Sequence, residues 1–233
     1  QRVLDVGSGV GDVSILLARL VGPSGEVVGI ERDPRSVARA RSRAAEAGLS
    51  NVSFTQCDAS DVESGSGRPF DAIVGRFILQ FLADPVAVLS RLRQLLRPGG
   101  IIAFQEVSYS PFLALSARLP LWSATVSLVH ETIRRCGANT EIGVALHQVF
   151  QEAGFSAPVM RVEILLGSDA DFTRWIYDLL CSLRLEVQQH GLTIEPLGDL
   201  DTLPHRLHRE VAESKTVVPF VALVGAWSCK SGA

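Results

Sequence analysis

Over residues 1–106, short apolar runs alternate with stretches whose apolar positions recur every three or four residues. Arg2-Val3-Leu4-Asp5-Val6 is a run stopped by Gly7, the pattern of a buried parallel strand. Val13, Leu16, Leu17 and Leu20 then mark the apolar face of a helix that Gly22-Pro23 ends. Residues 26–31 read as a second strand. Asp33-Pro34 reads as N-cap and first helical position of an arginine- and alanine-rich helix, exposed on one side and ending at Gly48. Residues 51–56 and 70–75 predict strands three and four. Asp84-Pro85 repeats the cap and opens a helix through Val88, Leu89, Leu92, Leu95 and Leu96. Pro98-Gly99-Gly100 is expected to end that helix, and residues 101–106 to form strand five. Strands joined by helices imply right-handed crossovers and a parallel sheet.

The rhythm breaks after Glu106. Residues 107–138 show no clear strand, and a helix is expected near 121–135. Thr140-Glu141 is expected to cap a helix reaching Ala153, with Gly154 after it. Residues 159–166 and 217–228 read as strands, and 169–214 as mostly helical with a loop near 191–204. This predicts one domain over 1–233: a first half at 1–106, helical cap segments at 107–138 and 169–214, and the rest of the core at 139–168 and 215–228. The only low-complexity run is Ser64-Gly65-Ser66-Gly67. The chain opens on a strand without a methionine, so an N-terminal segment is expected to be missing.

Composition narrows the function classes. With 47% apolar and 20% charged residues the chain is globular in kind. A net charge of −3 offers no basic field, which argues against a nucleic-acid partner. No apolar run is long enough to span a bilayer, so no membrane is expected. Cys57, Cys136, Cys181 and Cys229 are too scattered for a zinc or redox pair, and free thiols suit a cytoplasmic protein. An oligomer is allowed but not required.

Three features carry chemistry. Asp5-Val6-Gly7-Ser8-Gly9-Val10-Gly11 places glycines where a strand turns sharply into a helix and backbone can approach a ligand. Asp12 stands where a dinucleotide-binding turn carries its third glycine, and an acid there would repel a pyrophosphate. Glu31 closes strand two, where a carboxylate can accept both hydroxyls of a ribose; its plainer alternative is pairing with Arg32 or Arg35. Asp58, after strand three, can accept from an adenine amino group or simply cap a turn.

Taken with Phe70-Asp71-Ala72-Ile73-Val74-Gly75-Arg76-Phe77-Ile78-Leu79 and Leu96-Arg97-Pro98-Gly99-Gly100, this ordered set resembles that of class I S-adenosylmethionine-dependent methyltransferases. It is most similar to the small-molecule group that includes ubiquinone/menaquinone-type and "type 11" enzymes. The resemblance covers the first 106 residues or so. It implies an α/β, doubly wound, seven-stranded Rossmann-like sheet in order 3-2-1-4-5-7-6, strand seven antiparallel, with helical cap insertions. It implies S-adenosyl-L-methionine as cofactor and S-adenosyl-L-homocysteine as product. Gly7, Gly9 and Gly11 would face the methionine part, Glu31 the ribose and Asp58 the adenine, with Ser8, Arg32 and Ala59 as further cofactor-binding candidates. Asp5 would orient the glycine loop, and Arg76 would meet the methionine moiety.

Methyl transfer needs alignment and exclusion of water more than a catalytic signature. Phe77, Gln80, Glu106 and Trp122 are the candidate acceptor-binding residues. His130 is the candidate base, against the plainer reading of a packed helix histidine. His205 and His208 stand one turn apart without a third ligand, so no metal is expected. A nicotinamide-dependent oxidoreductase of the short-chain type would need Tyr-x-x-x-Lys, yet Tyr109 precedes Leu113 and Tyr177 precedes Cys181 at that spacing. A non-catalytic cofactor-binding module would tolerate degenerate glycines, which are intact here. A nucleic-acid or protein methyltransferase lacks its marker, because Gly75-Arg76-Phe77-Ile78 replaces an Asn-Pro-Pro-Tyr-like run.

Overall fold

Parallel registration of short apolar strands sets the frame of the site. A computed structural model describes residues 1–62, 68–116 and 118–231. The Ser-Gly run at 64–67 therefore lies outside the described residues. β1 (Arg2–Val6) pairs on one side with β2 (Glu26–Glu31) and on the other with β4 (Phe70–Arg76). β3 (Val52–Gln56) lies outside β2, and β5 (Leu96–Ser108) pairs with β4. The register aligns Thr55, Ile30, Val6, Gly75 and Phe104 across these five strands. The residues just beyond them therefore emerge along one edge of the sheet.

Later in the chain come β6 (Val159–Glu163), β7 (Leu166–Gly167), β8 (Val218–Pro219) and β9 (Ala222–Cys229). The seven-stranded sheet runs β3-β2-β1-β4-β5-β9-β6, and β7 and β8 form a separate pair. This is the expected order, with β9 as its antiparallel seventh strand.

α1 (Asp12–Val21) turns a different face inward from the one its leucines suggest. Ser14, Ile15 and Ala18 are buried, whereas Leu16 and Leu20 are 56% and 73% exposed. The small side chains let the helix sit close to the sheet: a Cβ on Gly29 would stand 3.0 Å from Ser14 Oγ. α2 (Pro34–Glu46) is capped by Asp33, which accepts from the amides of Arg35 and Ser36, and buries Val37, Ala40 and Ala44 beside Phe54. α3 (Pro85–Leu95) is capped through Asp84 and the amide of Ala87 at 2.8 Å. Caps of this kind contribute about 0.5–2 kcal/mol each.

β5 starts earlier than the sequence suggests. Pro98-Gly99-Gly100 does not separate helix from strand but forms an arc within it. The register jumps between Phe70↔Leu96 and Ala72↔Ile101. Gly99, at φ 71°, donates to Lys230 O at 2.9 Å, and Lys230 N returns a bond to Gly100 O at 2.8 Å. Lys230, just past β9 and far away in sequence, holds the arc.

The chain divides into two compact units, 1–106 with 144–161 and 225–233, and 107–143 with 162–224. The second unit contains α4 (Tyr109–Ser116), α5 (Pro120–Arg135), α7 (Ala170–Ser182), α8 (Arg184–Gln189) and α9 (Leu203–Glu213), numbered past α6 (Ile142–Glu152). Its core is aromatic: Trp175 packs against Phe112, Trp122 and Phe220, with ring centroids 5.4, 6.3 and 4.5 Å away. Glu141 directly precedes α6, and its side chain is turned to the start of α4. Asn139 accepts from its amide, and its carboxylate takes the amides of Tyr109 and Ser110 at the start of α4. The strand expected at 217–228 is broken, because Pro219 has no amide to donate and Phe220 N turns to Leu165 O at 2.8 Å. The strand expected at 159–166 divides likewise into β6 and β7. Among the described residues no helix is long and apolar enough to cross a membrane.

Candidate functional site

The sheet order reverses direction between β1 and β4, and crevices for ligands form at such points beyond the carboxyl ends of the strands. A cavity of about 270 Å³ lies there, entirely within the first unit. Small-molecule sites span roughly 300–1,000 Å³, so it stands at the lower edge of that range.

Gly7 and Gly9 supply one wall. Both have positive φ, 70° and 52°, and the amides of Gly7 and Ser8 each donate to Ile30 O at 2.9 Å. A Cβ on Gly9 would meet nothing within 4 Å, so its backbone is bare toward open space. Gly7 is different, because a Cβ there would come within 2.9 Å of Ile78. Gly11 does not line the cavity; a Cβ on it would press Phe54 at 3.0 Å and Ala40 at 3.2 Å. The third glycine thus serves the packing of α1 and α2. Ser8 is buried, and its Oγ has no hydrogen-bond partner among the described residues.

Glu31 lines the cavity with Ile30 and Arg32. Its Oε2 accepts from Gly9 N at 3.1 Å and its Oε1 from Asp33 N at 2.9 Å. The carboxylate is thus oriented by two amides, while each oxygen keeps a further lone pair. It pairs with neither Arg32 nor Arg35; the guanidinium of Arg35 goes to Asp33 at 3.5 Å. Asp58 combines both readings of the sequence. It lines the cavity with Cys57 and Ala59, and its Oδ1 caps the short turn Ala59–Asp61 through Ser60 N at 2.8 Å.

Phe77, Ile78, Phe81 and Leu82, after β4, give the cavity its apolar wall. Phe77 has φ 56°, a left-handed conformation costly for a side chain of this size. Arg76 is exposed; its guanidinium stacks 4.4 Å over the Phe77 ring, and its Nε donates to Gln105 Oε1 at 3.0 Å.

The remaining sequence candidates are not among the residues that line this cavity. Asp5 is buried behind it and accepts from Ser14 Oγ at 2.5 Å. Burial pushes its carboxyl up to about 6, against the pull of Ser14. Gln80 is buried on the inner side of its turn. Glu106 is fully buried, and its Oε1 accepts from the amides of Ile78 and Leu79 at 3.0 and 2.8 Å. Burial raises its carboxyl to about 7, while the amides of Leu79, Ile78 and Gln80 pull it down. Trp122 belongs to the second unit and is fully buried, its Nε1 donating to Ser116 Oγ at 3.2 Å. His130, also in the second unit, is half-buried, 3.1 Å from Thr140 Oγ1 and 5.2 Å from the Tyr109 ring. Burial lowers its pKa, although Glu141 and Glu131 pull the other way, and this favours the neutral ring.

Sequence reasoning missed Ile30, Cys57, Ile78, Phe81 and Leu82. The usable signal was Phe81-Leu82, an apolar pair placed where a strand has already ended. Among the described residues no group of three His, Cys, Asp or Glu could hold a metal ion.

A family model described as a methyltransferase domain matches residues 1–154. A ubiquinone biosynthesis O-methyltransferase of Cereibacter sphaeroides is 34% identical over 110 residues, covering 47% of this chain and 42% of its own length. An aklanonic acid methyltransferase of Streptomyces is 39% identical over 104 residues, covering 45% and 47%. The chain thus spans less than half the length of these curated relatives. A solved Bacillus subtilis protein superposes with a TM-score of 0.64 at 15% identity, over all of this chain and 92% of that one.

Proposed function

The chain belongs to the methyltransferase-domain family, and on that premise we propose that it transfers a methyl group from S-adenosyl-L-methionine to a nucleophilic O, N, S or C atom of a small-molecule acceptor. One juxtaposition carries the reading: the bare backbone of Gly9 and the oriented carboxylate of Glu31 border one cavity. A carboxylate held in this way suits a pair of vicinal hydroxyls. Ile30, Ala59 and Leu82 offer apolar surface to a flat base, and Asp58 an acceptor for its amino group. Arg32 is the one cation lining the site among the described residues. The residues present fit the cofactor.

When bound, the cofactor supplies a sulfonium methyl; the acceptor's lone pair forms the new bond as the carbon–sulfur pair returns to sulfur, leaving S-adenosyl-L-homocysteine. The chain's own task is orientation and exclusion of water. Glu31 fixes the sugar, and the glycine loop admits the methionine part. Phe77 and Phe81 present apolar surface at the cavity. For acceptors that must lose a proton, His130 is the proposed base, because burial favours its neutral ring. The thiols of Cys136, Cys181 and Cys229, in no disulfide among the described residues, support a reducing, cytoplasmic setting.

Calorimetric titration with S-adenosylhomocysteine and NAD, followed by transfer of labelled methyl to phenols, quinols, amines, thiols and tRNA, tests the reading. Binding of S-adenosylhomocysteine and labelling of a small molecule are expected. NAD binding without S-adenosylhomocysteine binding overturns the cofactor. Labelling of tRNA alone overturns the acceptor class, and binding without any transfer leaves a cofactor-binding module.

A further inference from the structure

Two consecutive residues at the end of β5 hold the turn that follows β4. Gln105 O accepts from Phe77 N at 3.0 Å, and Gln105 Oε1 takes Arg76 Nε at 3.0 Å. Glu106 Oε1 then accepts from Ile78 N and Leu79 N, and Gln80 N also acts on the same carboxylate. The turn held in this way carries a strained Phe77 and delivers Phe77, Ile78, Phe81 and Leu82 to the cavity. Ile78 also stands against Gly7, so a shift of the turn reaches the glycine loop.

We infer that Glu106 is the positioning residue of this site, a fully buried carboxylate that touches no ligand but sets cofactor affinity by fixing the turn at 76–80. The inference rests on the proposal that the cavity takes S-adenosylmethionine. Two observations support it beyond a general packing role. Glu106 Oε2 is buried without a hydrogen-bond partner among the described residues, and no cation there pairs with the carboxylate. Among the described residues the groups that act on it are the amides of Leu79, Ile78 and Gln80, and none is a charged side chain. A carboxylate in such surroundings is retained at the cost of its desolvation, and what it gains is charge-assisted bonds to the turn.

Those bonds weaken when the group is protonated, because a neutral carboxyl oxygen is the poorer acceptor. Burial raises Glu106 to about 7, so the change falls between pH 8 and pH 6. Asp5, pushed up to about 6, changes in the lower part of the same window, but it is present in every variant considered and cancels in their comparison.

The experiment measures S-adenosylhomocysteine affinity by calorimetry at pH 6, 7 and 8 for the wild-type chain and Glu106→Gln, with thermal unfolding alongside. The wild-type affinity is expected to fall about five- to tenfold from pH 8 to pH 6, roughly the advantage of one charge-assisted hydrogen bond. Glu106→Gln is expected to bind at pH 8 about as weakly as the wild type at pH 6, with the larger part of the pH step gone. A wild-type chain that binds at all pH values with unchanged affinity overturns the inference, as does a variant that keeps both wild-type affinity and the pH step. If Glu106→Gln does not fold, Glu106→Asp takes its place: the shortened carboxylate reaches the turn less well and is expected to weaken binding at pH 8, and wild-type affinity there overturns the inference. A wild-type chain that binds no S-adenosylhomocysteine at any pH overturns the functional proposal and this inference with it.

Discussion

The amide of Gly9 donates to Glu31 Oε2 at 3.1 Å, joining the end of the β1 loop to the end of β2. With Asp33 N on the other oxygen, the carboxylate is fixed by backbone alone. Binding then needs little ordering of this side chain, whose rotamer freedom would otherwise count against affinity. A glutamate pinned in this way also orients the loop that pins it.

Replacing Glu31 with alanine should therefore remove both a ligand contact and a loop restraint. Hydrogen bonds to a charged group contribute about 1.5–3 kcal/mol, which corresponds to roughly a 10- to 150-fold rise in Kd for S-adenosylhomocysteine. Calorimetry checks this. Glu31→Gln keeps one acceptor and should lose less; equal binding by wild type and Glu31→Ala would remove Glu31 from the site.

Gly9 and Gly11 look alike in sequence and should respond differently. Both have positive φ, 52° and 89°, so alanine at either is strained by about 1–2 kcal/mol. The Gly9 methyl would enter open space at the cavity, whereas the Gly11 methyl would press Phe54 and Ala40. Gly9→Ala should lower cofactor affinity beyond its small effect on the melting temperature. Gly11→Ala should lower the melting temperature by several degrees more, since crowding a packed core costs about 1–3 kcal/mol. Thermal unfolding and calorimetry on both variants separate the two roles.

The pH dependence of stability has a definite sign. Asp5 is raised from 3.8 to about 6 by burial, so between these values the folded chain holds a proton that the unfolded chain releases. Stability contributed by the neutral acid is full below about pH 4 and is lost as pH rises through 6, on the order of 3 kcal/mol in all. Asp5→Asn keeps an acceptor for Ser14 and abolishes this loss. Urea unfolding should show the variant gaining on the wild type between pH 4.5 and pH 8. A constant difference across that range would show that Asp5 does not titrate as its burial dictates.

The pattern of legibility follows the range of the forces involved. Gly7, Gly9, Glu31 and Asp58 were readable because each sits at a strand end, and strand ends are fixed by local apolar runs and by parallel register. Phe81 and Leu82 were not, because their turn is shaped by Glu106, whose bonds to Ile78 and Leu79 bridge 28 and 27 positions. The same holds for α1. Its leucines suggested the buried face, but Ser14 and Ala18 are what the sheet admits. At Phe220 the apolar run breaks beside Pro219, and Leu165 O receives the Phe220 amide. Each miss traces to a partner distant in sequence, which periodicity along the chain does not register.

Glu210 is a further case, and its cost can be measured. From α9 its two carboxylate oxygens accept the amides of Leu121 and Trp122 at 2.8 Å each, at the first turn of α5. No capping residue precedes that turn, since Leu119 is the N-cap and makes no side-chain bond. The carboxylate 88 residues away in sequence takes the place of a local cap, and its charge favours the helix N-terminus. Glu210→Ala leaves two amides without this partner and should destabilise the second unit by about 2 kcal/mol. Trp122 and Trp175 share that unit's core, so tryptophan fluorescence during urea unfolding reports it. Glu213→Ala, at an exposed position of the same helix, is the control and should stay within about 0.5 kcal/mol of wild type. Equal unfolding midpoints for the two variants would mean that solvent serves the start of α5 as well as Glu210 does.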